Sequence, residues 1–570
     1  MRLQITKSKN AECFYVVKSI YENKKRSSIV VEKLGNLAAV KEKAGNCDPY
    51  IWAKAYVDEL NKKEQQAKLD DISITFSPNH SIDFDKQIKF TGGYLFLQKI
   101  YHQLGLNKIS KEIAKRHNFE YDINAIMAML VYTRILFPSS KASSFESAKN
   151  FLEEPNCKSH QIYRALDIIA NETDFIQSAL YKNSTSVIER NTNILYYDCT
   201  NFFFEIETSK GLRQYGVSKE NRPNPIVQLG LFMDADGIPL AFCVNAGNTN
   251  EQTTLKPIEQ KIISDYGKSK FIVCTDAGLA STANRKFNNV ADRAFVTTQS
   301  VKQLKGFLKE WALSPDGWTI DGKGKFNLNE IDEDKYSDTV FFKERWINEN
   351  GLEQRLIVTY SVKYRDYQQN IRNEQISRAQ KLLNSNPKSI NKSKQTDYKR
   401  LITKTSVTVD GEIADKDMYA LNNELIANES MYDGFYAVCT NLEGDTQEII
   451  KINHNRWEIE ESFRIMKTEF KARPVYLSRD DRIKAHFTIC FIALTLYRIL
   501  EKKLEYKYTI KETLETLKSM DFLYLRGYGY VPSYKRTKIT DDLHKILNAR
   551  TDNEIVPIDV MKKIISNSRK

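Results

Sequence analysis

The chain has 570 residues, 41% hydrophobic and 28% charged, with 85 Lys and Arg against 73 Asp and Glu for a net charge of +12. That length exceeds what one ordinary core fills, so three or four domains are expected. The composition excludes a disordered or fibrous chain, while the basic surplus is compatible with a polyanionic partner without identifying one.

The opening MRLQITKSKN has no apolar core, so no signal peptide is expected there. The longest apolar run, FTICFIALTL from residue 487, is too short to span a bilayer and reads as a core helix, with no membrane role. Eight scattered cysteines (Cys13, Cys47, Cys157, Cys199, Cys243, Cys274, Cys439, Cys490) form no CxxC pair. They read as reduced, buried thiols of a cytosolic protein. The seven histidines show no ligand spacing.

Residues 11–38 alternate in strand fashion around ENKKRSS, which predicts a hairpin. From about 93 to 190 the pattern turns helical, in YLFLQKIYHQLG, INAIMAMLVYTRILF and SHQIYRALDIIA. Two readings stand for this stretch, a DNA-binding bundle or a plain α-domain. Under the first, SHQIYRALDIIA is the recognition helix, because Gln161, Arg164 and Asp167 fall at helical spacing on a polar face.

A run of strands follows: NILYYDCT, NPIVQLGLFMD and IPLAFCVNAG, joined by hairpin-type links, then SKFIVCTDAG and RAFVTTQS after helical pieces. The first three are expected to pair as an antiparallel meander. A right-handed crossover then lays the fourth parallel to the first and beside it. Asp198 ends the first strand and Asp276 the fourth, so both carboxylates are expected at one sheet edge, where open α/β sheets place ligands. Residues 301 to about 430 interrupt this architecture with short strands (TVFFKERW, EQRLIVTYSV) and a lysine-rich tract. The segment QKLLNSNPKSINKSKQTDYKR reads as a mobile basic loop, either a solvated linker or a phosphate contact.

After the strand DGFYAVCTN comes NRWEIEESFRIMK. At about 100° per residue, Ile459, Phe463, Met466 and Phe470 form one buried stripe. Arg456, Glu460 and Lys467 fall within a roughly 40° arc at its border, Arg464 lies just beyond, and Glu458 and Glu461 point away. A surface Arg–Glu pair at i,i+4 would account for that arc by itself. Three converging carboxylates, Asp198, Asp276 and Glu460, would not be stable together without a cation. Oxygen-only ligands favour Mg²⁺ or Mn²⁺, and two such ions suit in-line attack at a phosphodiester.

The segments YYDCT, CTDAG and RWEIEESFRIMK resemble the three blocks of DDE transposases from bacterial insertion sequences. They are most similar to the group whose third block is Tyr-x2-Arg-x3-Glu-x6-Lys, matched here by Arg456, Glu460 and Lys467, with Asn453 at the Tyr position. VSKENRP, GIPLAFCVNAGNT and RPVYLSRDDRIKAHFTICFIALTL add to the likeness, which covers most of 190–500. The resemblance implies an α/β, RNase H-like mixed sheet flanked by helices, with a β-rich insertion before the glutamate. It implies metal held by Asp198, Asp276 and Glu460, and Arg456, Lys467 and Arg464 on DNA phosphates. It further implies binding of terminal inverted repeats in double-stranded DNA, cut-and-paste strand cleavage and transfer, action as a homodimer, and a bacterial cytoplasmic, nucleoid-associated location.

The expected domains are a hairpin and helix region (1–80), a helical, DNA-binding domain (81–190), the core in two parts (191–300 and 441–505), the insertion (301–440) and a C-terminal helical region (506–570). Three alternatives remain: an RNase H-fold nuclease without strand transfer, a transposase-derived non-catalytic DNA-binding protein, and a carboxylate-pair glycosidase. The last needs one carboxyl to hold a proton, which neighbouring cations oppose.

Overall fold

The computed structural model describes residues 1–8, 11–22, 25–67, 74–79, 81–320, 323–385, 397–407 and 413–570. The chain divides into two compact units, Met1–Lys86 and Gln87–Lys570.

In the first unit, strands Ala11–Glu22 and Lys25–Asn36 pair antiparallel, as the alternation predicts; residues 23–24 of the turn lie outside the described residues. A third strand, Arg2–Ser8, pairs with Ala11–Glu22 and was not anticipated. Helices Leu37–Ala44 and Pro49–Ala67 follow. Phe14, Val16, Leu34, Val40, Ala53 and Val57 make this unit's core.

The second unit is built on a ten-stranded mixed sheet. Across the sheet the order is Lys323–Phe326, Trp318–Ile320, Phe341–Glu349, Leu352–Tyr360, Phe435–Thr440, Arg293–Gln299, Phe271–Thr275, Ile194–Phe203, Ile226–Asp234 and Pro239–Ala246. The meander is present: Ile194–Phe203 pairs antiparallel with Ile226–Asp234, which pairs antiparallel with Pro239–Ala246. The ADG turn between the latter two places Gly237 at φ +73°, a conformation that costs glycine no steric penalty. Phe271–Thr275 lies parallel to Ile194–Phe203 and next to it.

The strands at 341–360, expected to interrupt the core, instead extend the same sheet. Leu352–Tyr360 pairs with Phe435–Thr440, which pairs with Arg293–Gln299. Local pattern carries no information about which distant strand a segment joins, so this extension was not legible. The segment expected as a mobile basic loop lies largely outside the described residues (386–396); before it Val362–Ser385 is a helix, and after it Tyr398–Leu401 is a short 3₁₀ turn.

One face of the sheet packs on Asp480–Lys503, a 24-residue helix buried from Ile483 nearly to its end. It is long and apolar enough to cross a membrane, but 94% of its apolar window is buried inside the protein. The core-helix reading is therefore right, although the helix extends well beyond the run from 487. Around it pack Tyr94–Gln103, Ile123–Leu136 and Ser159–Asn171.

Two of these regions show structure beyond what the sequence pattern suggests. Ser159–Asn171 is a helix, but Asp167 is paired with Arg479 and Arg482, and the Gln161 carboxamide caps its own helix by accepting from the Lys158 N–H at 2.7 Å. Gln161 and Asp167, two of the three side chains on that polar face, thus have partners within the chain. The region after 506 is not purely helical either: Asp521–Leu525, Gly529–Pro532 and Val556–Pro557 form a four-stranded sheet with Lys89–Thr91. Cysteines 199, 274, 439 and 490 are buried and all eight are free, but Cys47 is exposed.

Candidate active site

Asp198 lies within its strand and Asp276 follows the end of its neighbour. Tyr196 pairs with Cys274, so the two aspartates stand two residues beyond the same rung of a parallel ladder. Asp198 is 9% exposed and Asp276 partly buried. The Asp198 Oδ1 accepts from the Cys199 N–H at 2.7 Å. The Asp276 Oδ1 caps the following turn, accepting from the Leu279 N–H at 3.0 Å. Among the described residues, the second oxygen of each makes no hydrogen bond. Burial pushes the Asp198 carboxyl up to about 6; the Lys219 ammonium opposes this, and the charge of Asp276 adds to it.

The glutamate helix is Trp457–Arg464, continued by a π-helical turn, Ile465–Glu469. Ile459, Phe463, Met466 and Phe470 are all buried, as the stripe predicts. Glu460 is 58% exposed and ion-paired with Arg456 at 3.1 Å. The Arg456 side chain is largely buried, and among the described residues its Nε has no hydrogen-bond partner. Its guanidinium lies close enough to feel the charges of Glu460 and then Asp198. Lys467, carried on the π turn, pairs with Glu220 at 3.3 Å and lies close enough to feel the charge of Asp198. Burial, with Lys219 nearby, brings its ammonium down to about 8 against the pull of Asp198. A π turn adds a residue to the helical repeat and so re-aims the side chains on it.

Not every residue of the expected set gathers at this edge. Arg464 turns outward, bonding Glu461 at 2.6 Å with Glu469 nearby. Glu458 is not a free surface acid: it pairs with the buried Arg498, which also bonds the Gly237 carbonyl and Glu501. Asn453 is 8% exposed and points inward. Its Nδ2 donates to the Tyr436 hydroxyl at 3.1 Å, and Thr298 donates to its Oδ1 at 3.3 Å. The carboxamide therefore braces the strands behind Arg456 and offers nothing outward.

Sequence reasoning missed a loop between the first two meander strands. Asn201, 2% exposed, holds it by donating to the Val217 carbonyl at 3.1 Å and accepting from the Lys219 N–H at 3.3 Å. Lys219 donates to the Cys199 carbonyl and pairs with Glu251 at 3.2 Å. Burial lowers its ammonium pKa, but Asp198 and Glu251 raise it further, for a net increase. The signal was present in VSKENRP, a basic loop one strand-length from Asp198, though its fold-back is a long-range event.

The donor set suits a hard divalent ion: carboxylate oxygens on two neighbouring parallel strands, one of them with its pKa raised by burial so that a cation beside it would be stabilising. The Asp198, Asp276 and Glu460 oxygens do not all lie within 4.8 Å of one another. Glu460 would have to leave Arg456 to join the aspartates. Among the described residues, Asp541, His544 and Asp552 do meet that spacing. There Arg536 and Arg550 already neutralise both carboxylates.

A family model described as a transposase DDE domain matches residues 203–496, just over half of the chain. The chain belongs to the DDE transposase family. The match holds Asp276, Arg456, Glu460 and Lys467 and begins five residues after Asp198. No curated protein matches. Among solved structures, a cryo-EM structure of the piggyBac transposase synaptic complex with hairpin DNA is similar at 8% identity and a TM-score of 0.36, covering 84% of this chain and 85% of that one. DDE transposases generally use divalent metal ions.

Proposed function

We propose that this transposase binds the terminal inverted repeats of its own insertion sequence, in double-stranded DNA, and cuts and joins DNA at the edge occupied by Asp198 and Asp276. The observation that carries this reading is the placement of those two carboxylates side by side, with Arg456 and Lys467 beside them. The strand order from Pro239–Ala246 through Ile194–Phe203 to Arg293–Gln299 supports an RNase H-like core.

In this reading Asp198, Asp276 and Glu460 hold Mg²⁺ or Mn²⁺, two ions in the working complex. The bound metal supplies Lewis-acid stabilisation of the scissile phosphate and activation of the attacking oxygen. Glu460 leaves the Arg456 guanidinium to complete the ligand set. That frees Arg456 to take a phosphate oxygen pair, which its planar fork suits. Lys467 supplies a second positive charge on the same strand. Hydrolysis leaves a 3′-hydroxyl, and attack of that hydroxyl on target DNA exchanges one phosphodiester for another. Two copies, one per end, make a homodimer the working assembly.

The reading is tested by the DNA that flanks this coding region. Short inverted repeats on both sides, bound by the protein in preference to unrelated duplex, are the expected result. Their absence, with no preference for any flanking sequence, would leave a nuclease without strand transfer as the better description.

A further inference from the structure

The VSKENRP loop places one carboxylate among three cations. Glu220 Oε1 lies 3.3 Å from the Lys467 ammonium and in ion contact with Arg473, and its Oε2 lies 4.0 Å from the Arg222 guanidinium. The floor beneath is aromatic: Lys467 sits over Phe202 at 5.6 Å, and Arg222 and Arg473 over Phe203 at 4.1 and 5.9 Å. Phe202 and Phe203 belong to the Asp198 strand, so the cluster is four or five residues along from that carboxylate. The loop is not loosely draped, because the buried Asn201 pins it at Val217 and Lys219.

Folding alone does not call for this arrangement. Partly exposed ion pairs contribute little to stability, and one acid facing three cations leaves a local surplus of positive charge. Three cations gathered around one carboxylate do match the needs of a phosphodiester, whose anionic oxygens attract the same groups. A DNA strand running past Asp198 would meet these cations next. We propose that Lys467, Arg473 and Arg222 form a seat for a DNA backbone phosphate adjoining the Asp198 edge, and that Glu220 fills this seat while DNA is absent. The inference rests on the DNA-processing reading above. It adds Arg473 and Arg222 to the DNA-contacting residues and gives the VSKENRP loop the role of an internal phosphate mimic.

The test uses the full-length protein and a short fluorescein-labelled duplex of arbitrary sequence, titrated at several salt concentrations. Glu220→Gln is expected to tighten binding by about threefold to tenfold at low salt, since the cations no longer exchange one anion for another. Arg473→Ala is expected to weaken binding and to flatten the slope of log affinity against log salt by about one unit. In a background of Lys467→Ala with Arg473→Ala, Glu220→Gln should change nothing, which separates a seat from a general effect of net charge. Glu220→Asp, which draws the carboxylate back by one methylene, should shift affinity in the same direction as Glu220→Gln. Unchanged affinity in both Glu220 variants, or equal tightening in the cation-depleted background, overturns the inference while DNA binding by the wild type upholds the wider reading. A wild type that binds no duplex at any salt concentration overturns both.

Discussion

Asp198 and Asp276 occupy equivalent positions on two adjacent parallel strands, each two residues beyond the paired Tyr196 and Cys274. Glu460 stands apart, exposed and paired with Arg456. This asymmetry predicts that the three acids are not equivalent in metal binding. Asp198→Ala and Asp276→Ala should abolish Mn²⁺ binding, followed by the loss of the free-ion EPR signal, whereas Glu460→Ala should weaken it. All three should be inactive in DNA cleavage while keeping wild-type melting temperatures. An Asp276→Ala protein that takes up Mn²⁺ as well as the wild type would remove that residue from the ligand set.

Glu458 and Glu461 flank Glu460 but differ from it and from each other. Glu461 bonds the exposed Arg464, so Glu461→Ala should leave both cleavage and stability near wild type. Glu458→Ala removes one of the two acid partners that the buried Arg498 has among the described residues, leaving Glu501. That should lower stability by about 1–3 kcal/mol, since a buried charge that loses part of its compensation is costly. Chemical denaturation of the two variants side by side checks this, and equal stabilities would show that Arg498 does not depend on Glu458.

Arg456 and Lys467 act on the phosphate in this account and not on the metal. Arg456→Ala and Lys467→Ala should reduce cleavage and leave Mn²⁺ binding intact. Arg456→Lys should recover little, because an ammonium cannot make a bidentate grip. An ordinary helical Arg456–Glu460 pair would instead contribute under about 1 kcal/mol to stability and nothing to cleavage. Cleavage rates and melting curves on the same preparations distinguish the two outcomes.

Much of this site was legible because it depends on short-range pattern. The 3.6-residue stripe of Ile459, Phe463, Met466 and Phe470 identified the buried face of the glutamate helix. The meander and crossover rules place Asp198 beside Asp276 from the sequence alone. What was not legible depends on long-range packing. Arg464 lies only just beyond the arc on a helical wheel, yet it bonds Glu461 and turns outward, while Lys467, on the π turn at Ile465–Glu469, lies close enough to feel the charge of Asp198. Glu458 looked solvated because nothing in its neighbourhood announces Arg498, forty residues on. Lys219, Glu220 and Arg473 meet only through the fold-back of a loop. On Ser159–Asn171, Asp167 pairs with Arg479 and Arg482 at the start of the central helix, a contact that no local pattern shows.

A buried lysine outside the carboxylate site supplies a pH test of the fold. Lys141 is 5% exposed, with its Nζ 3.5 Å from the His486 Nδ1. Burial, aided by the nearby Arg134, brings its ammonium from 10.5 down to about 7. Between those two values the unfolded chain binds the proton that the folded one has released, so stability rises with pH across that window. The gain is on the order of a few kcal/mol. Lys141→Met should raise the melting temperature at pH 7 and flatten its rise toward pH 10. An unchanged pH profile in Lys141→Met would show that this lysine is charged in the folded protein.

The central claim is that the Asp198 edge cuts DNA with a divalent metal. Its most direct test is a labelled duplex spanning the junction of the inverted repeat and its flanking DNA, incubated with the wild-type and Asp198→Ala proteins. Cleavage at the repeat boundary that requires Mg²⁺ or Mn²⁺, stops with chelator and is absent in Asp198→Ala is the predicted result. Cleavage that persists in Asp198→Ala, or that proceeds without a divalent ion, would contradict it.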